Sequence, residues 1–185
     1  MLQKIILLSG DSQNKKGVFN MPIDRYKRAK NWFDKALRIT PNNANDDIFD
    51  KFIMLWIAYN ALYGELGLRD RKGTKRFVRK NYNSEYDILL NEKHSRFFKK
   101  YTVTNMQKNP QPIDTEVHQN TLKNPGKTAL EKLAALMMCT YQVRCNLFHG
   151  GKSPDVPDDE EKVRNAAGFL ESYLKIYFDN LPNHE

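Results

Sequence analysis

The stretch "NDDIFDKFIMLWIAYNALYGEL", Asn45 to Leu66, decides the fold. At about 100° per residue, Ile48, Phe52, Leu55, Tyr59, Leu62 and Leu66 form one apolar stripe, and Phe49, Ile53, Trp56 and Tyr63 form a second. A helix that is apolar on two sides has to be covered on two sides, so this segment is expected at the centre of a helical bundle. Asn45, Asp46 and Asp47 suit its N-terminus, where carboxylates and short polar side chains satisfy free N–H groups and the helix dipole.

The neighbouring segments supply the cover. From about Ile23 to Ile39, Tyr26, Ala29, Phe33, Ala36 and Leu37 share a face before Thr40-Pro41 stops the helix. A helix from about Thr128 to His149 ends at Gly150-Gly151, where glycine can close it in the left-handed conformation. A last one starts behind Pro157 and four acids, Asp158 to Glu161. It then keeps Val163, Ala166, Ala167, Leu170, Tyr173, Leu174, Tyr177 and Leu181 on one face. With almost no strand signal, the expectation is an all-α bundle of four long helices plus smaller ones. Residues 23–185 are expected to form one helical domain behind an N-terminal arm or short strand over 1–22, and Thr102–Lys127 reads as a long loop.

The 185 residues are 40% hydrophobic and 11% aromatic, enough for one packed core. The apolar run Ile5 to Leu8 is too short for a signal-peptide core or a membrane span. Cys139 and Cys145 diverge on one predicted helix, so no disulfide is expected between them, and the reading is of a cytoplasmic protein. The net charge of +8 fits polyanionic partners. That surplus resides in Gly67–Lys108, which carries twelve Lys and Arg residues. Within it, Lys72, Lys75, Arg76, Arg79 and Lys80 would make one helical stripe, either a solvated face or a surface that guides a nucleic-acid substrate. Phe77, Tyr82, Tyr86, Phe97, Phe98 and Tyr101 interleave with these charges, in a pattern suited to base stacking.

On the Thr128–His149 helix, Leu136, Val143 and Leu147 make the core face, while Met138, Gln142, Cys145 and His149 fall roughly opposite, a place for a partner subunit. Arg144 and His149 differ by about 140° around the axis, so one phosphate meets both only if the arginine reaches around or a second chain contributes. Two readings of the pair stand. Cations near a helix C-terminus favour the dipole, and a glycine stop is ordinary. Alternatively, histidine exchanges protons near neutrality and arginine matches phosphate geometry with paired hydrogen bonds. His94, His118 and His184 have no ligand spacing with one another and read as surface residues, so no metal site is expected. "HGGK" does not fit a P-loop, though Lys152 is placed to touch backbone phosphate.

Arg144, four intervening residues and His149, at the end of a long helix with a further amphipathic helix behind, resemble the HEPN superfamily and its R-x4–6-H motif. The wording "YQVRCNLFHGGK", Tyr141 to Lys152, with "LWIAYNALYG", Leu55 to Gly64, is most similar to the Apea-like HEPN group. The resemblance spans roughly Ile23 to Leu181. It implies a HEPN-like bundle and a homodimer whose Arg144 and His149 line a cleft between protomers. It also implies a metal-independent endoribonuclease without cofactor, of the kind found in toxin–antitoxin, antiviral or RNA-processing settings, with RNA and an antitoxin or other protein as partners. Cleavage at the 2′-hydroxyl would leave a 2′,3′-cyclic phosphate. Cys145 departs from the polar residue usual after the arginine, and Asn146 is the nearest substitute for orienting the phosphate. That departure keeps an alternative open: a non-catalytic RNA- or nucleotide-binding or assembly module on the same bundle.

Overall fold

The computed structural model describes residues 23–40, 45–64, 70–103, 115–150 and 156–181. The expected arm over 1–22, and Lys152 and His184, lie outside them. Among the described residues the chain is all-α. Its order is α1 (Ile23–Leu37), α2 (Asn45–Tyr63), α3 (Asp70–Asn81), a 3-10 segment (Ser84–Asn91), α4 (Lys93–Lys100), α5 (Thr115–Lys123), α6 (Ala129–Phe148) and α7 (Pro157–Asp179). None of these helices is long and apolar enough to cross a membrane.

Both stripes of α2 are covered, as their composition requires. Phe52, Leu55, Tyr59, Trp56 and Tyr63 are buried, with α1 packed along one side and α7 and α3 along another. Tyr59 joins these layers: its ring meets Tyr173 of α7 edge-on at 5.8 Å, and its hydroxyl donates to the Thr74 carbonyl of α3 at 3.1 Å. The expected face of α7 is buried from Val163 to Tyr177. On α1 the face holds except at Leu37, which is 43% exposed where the helix ends.

Helix α6 shares the centre with α2. Leu133 to Thr140 are all buried, because α3, α5 and α7 pack around it together with the 3-10 segment. The expectation of an open face through Met138 and Gln142 is therefore corrected, since these residues are 3% and 5% exposed. The reason is α5, which occupies part of the segment read as a loop. Among its described side chains, 116–123, only Gln119 and Leu122 are buried, too few apolar positions to show a helical period, and it is held by packing on α6 and α4.

His94 is also corrected: it is buried rather than a surface residue. The Asn165 amide is oriented by its own donation to the Glu161 carbonyl at 2.8 Å, so its Oδ1 faces His94 Nδ1 at 3.3 Å. Burial pushes the imidazole below its ordinary range, and Asn165 only partly offsets this. The ring occupies the space above Gly168, where any Cβ would collide with it. Gly168→Ala is accordingly expected to displace His94 and cost about 1–3 kcal/mol in urea unfolding, the range for overpacking. His94→Ala in the same chain should recover part of that loss, and an unchanged midpoint in Gly168→Ala would contradict this packing.

Candidate functional site

The carboxyl-terminal turn of α6 is held from both ends of the helix. At the start, Thr128 Oγ1 accepts from the Glu131 N–H at 3.2 Å while Glu131 Oε2 accepts from the Thr128 N–H at 2.9 Å. Lys127 reaches the same carboxylate at 2.9 Å. Lys127 first, then Thr128, hold the Glu131 carboxyl down to about 2. At the end, the His149 N–H donates to the Cys145 carbonyl at 3.1 Å. Gly150 follows at φ 70, the left-handed conformation expected of a glycine stop.

Arg144 lies in the last full turn between these fixed points. Its Nη2 stands 3.3 Å from Asp70 Oδ2, at the first residue of α3. The other oxygen of that carboxylate accepts from the Tyr63 hydroxyl of α2 at 3.2 Å. The guanidinium carbon lies 5.7 Å from the Trp56 ring centre and 4.8 Å from that of Phe148, so two aromatic faces flank the cation. Three helices thus converge on one guanidinium. Among the described residues, its buried Nε and the nearby Trp56 Nε1 have no hydrogen-bond partner. Burial, reinforced by Asp70, pushes the Tyr63 phenol upward, so it stays a donor to that carboxylate.

His149 and Phe148 are exposed at the end of α6, Phe148 by 51%. Cys145 is half-buried, whereas Cys139 is buried and its thiol is pushed up to about 12. Asn146 is not at this surface. It is 3% exposed, and its Oδ1 accepts from Gln142 Nε2 at 2.8 Å, so it is corrected from a ligand-facing residue to an interior one.

The cationic stripe does form on α3, with Gly73, Thr74, Phe77 and Val78 turned inward and Lys72, Arg76, Arg79 and Lys80 exposed. Lys75 is half-buried. Gly73 is needed for the approach, since a Cβ there would stand 2.8 Å from Tyr63 Cδ2. Asp70 is the one acid of α3. The other outward residues of α3, save Asn81, are cations, and like charges one turn apart destabilise a helix by about 0.2–0.5 kcal/mol per pair. The interleaved aromatics behave differently from the expectation. Phe77, Tyr86, Phe97 and Phe98 are core residues, leaving Tyr82 half-buried and Tyr101 exposed.

Sequence reading missed Asp70, Trp56 and Tyr63 as the surroundings of Arg144. A lone acid within "RDRK", Arg69 to Lys72, was the available signal for Asp70. Among the described residues no group of three or more His, Cys, Asp or Glu is placed to hold a metal ion. Comparison of the chain with family models, curated proteins and solved structures finds no match.

Asp70→Asn should remove the charge that orients Arg144 while costing less than about 1 kcal/mol, because both partners are partly exposed. The expected result is several-fold faster modification of Arg144 by phenylglyoxal, read by peptide mass spectrometry. Unaltered reactivity would mean that the carboxylate does not hold the arginine.

Proposed function

We propose that this chain is an endoribonuclease of the HEPN type, acting without a metal ion, with Arg144 and His149 at the reacting phosphodiester. The observation that carries the reading is the setting of Arg144. A guanidinium fixed by one carboxylate and two rings sits in the last turn of α6, and the imidazole five residues further on is exposed on another side of that helix end. RNA brings its own nucleophile, so the protein has only to move protons and stabilise charge.

In the proposed reaction His149 takes the proton of the 2′-hydroxyl as its oxygen attacks phosphorus. The bond to the 5′-oxygen breaks, that oxygen takes a proton from the His149 imidazolium, which returns to the neutral ring, and the products are a 2′,3′-cyclic phosphate and a 5′-hydroxyl. Arg144 donates paired hydrogen bonds to the non-bridging oxygens, where charge develops. Because Arg144 and His149 lie about 140° apart on α6, two copies pairing across the last turn would bring one protomer's arginine to the other's histidine. Exposed Phe148 suits such a contact, and the covered Met138–Gln142 face confines it to that turn. A toxin or antiviral role in the cytoplasm, with an antitoxin as protein partner, follows from the family resemblance.

Two features favour a non-catalytic binding or assembly module as the second reading. Asp70 already engages Arg144, and Cys145 stands where a polar residue is usual.

Incubation of structured and single-stranded RNA in EDTA separates the two. Wild type should cut, and His149→Ala and Arg144→Ala, each folded by circular dichroism, should lose roughly 100-fold or more in rate. Equal residual nicking in all three proteins would refute catalysis. Salt-sensitive RNA binding by wild type and both variants, with no cutting by any, would favour the binding module.

A further inference from the structure

Beyond the end of α6, a second feature lies at the opposite end of α3. Asp70 meets Arg144 near the end of α6, while Lys75 and Arg79 share a cleft with Glu131, Ala134 and Ala135 near its beginning. Helix α3 therefore runs antiparallel to α6, from the arginine toward this cleft. The cleft has a volume of about 180 Å³, and α5 closes its other side with His118 and Thr121. Lys127 stands at its edge, bonded to Glu131.

We infer that this α3–α5–α6 cleft is a binding site for the phosphodiester backbone of single-stranded RNA, separate from the reacting phosphate. Three cations against one carboxylate give the cleft a positive balance, and it has the room for a phosphodiester group. Lys75 and Arg79 are one turn apart on the same side of α3, about 6 Å along its axis, so they can follow consecutive phosphates. Starting from Asp70, they lie about 7.5 and about 13.5 Å along the helix, which places the cleft upstream or downstream of a strand held at Arg144.

A second observation points the same way. Arg71 and Lys75, Lys72 and Arg76, Lys75 and Arg79, and Arg76 and Lys80 are all like-charged pairs at i, i+4. After Asp70 at its first position α3 carries no acid of its own, so its outward face bears charge of one sign. A polyanion lying along such a face releases its own condensed counterions. The choice of RNA over another polyanion rests on the proposed ribonuclease reading; the cleft and its charge do not.

The test uses the full chain and a fluorescent single-stranded 2′-O-methyl RNA oligonucleotide, which cannot be cleaved by 2′-hydroxyl attack, so binding is read whether or not the protein is a nuclease. Lys75→Gln/Arg79→Gln should weaken binding about tenfold or more at low salt. It should also flatten the plot of log affinity against log salt by about 1.4, two single-strand phosphate contacts at about 0.7 each. Lys27→Gln/Lys35→Gln, which removes the same charge from exposed positions of α1, should leave both quantities nearly unchanged. Arg79→Glu should abolish binding. Equal weakening by the α1 variant would reduce the effect to overall charge and overturn the site. So would wild-type affinity in the Lys75/Arg79 variant, or protection by inorganic phosphate with no RNA binding. Wild type that binds this probe as expected yet leaves ordinary RNA uncut would retain the cleft and reject the nuclease.

Discussion

The arrangement depends on one constraint: α6 is buried on every side from Leu133 to Thr140. A helix enclosed in this way must be ringed by other elements, and α3, α5, α7 and the 3-10 segment supply the ring. Polar side chains on α6 can then reach the surface only toward its ends. The start is fixed by the Thr128–Glu131 capping pair and the end by Gly150, so the last turn presents Arg144, Cys145, Phe148 and His149 in a set register. Exposed groups on a buried rod are held more firmly than the same groups on a loop, which suits the proposed role of Arg144 at a phosphate.

Asp70 links that turn to the charge of the molecule. It begins α3, bridges Tyr63 of α2 and Arg144 of α6, and is followed along the outward face of α3 by cations. The same helix thus orients the arginine at one end and forms the wall of a cationic cleft at the other. Its inner face holds it in place. Phe77 and Val78 are buried, Gly73 lets Tyr63 approach, and Tyr59 bonds the Thr74 carbonyl. Packing holds a helix that its surface charge alone would weaken.

Much of this was legible in the sequence because burial leaves periodic marks. The two stripes of α2 and the single long face of α7 required cover and received it. The cationic stripe and the glycine stop followed from spacing and backbone chemistry alike. Three features were not legible. Helix α5 buries too little of itself to show a period, and missing it left the Met138 face of α6 wrongly open. The aromatics of 77–98 look like stacking residues when read beside charges, but all except Tyr82 are buried in the core. His94 gave no sign of burial, since its partner Asn165 is 71 residues away in the chain, and Asn146 gave none because its bond to Gln142, one turn earlier on α6, is equally compatible with an exposed face.

The central claim is that the end of α6 promotes attack by an RNA's own 2′-hydroxyl on the neighbouring phosphorus. Its most direct test is cleavage of an oligonucleotide carrying a single 2′-deoxy substitution at the mapped cut, with affinity measured alongside. The account predicts that the substituted strand still binds, stays intact at that bond, and that the unsubstituted strand yields a 2′,3′-cyclic phosphate end. Scission at the deoxy position, or products ending in a 3′-hydroxyl and a 5′-phosphate, would contradict it.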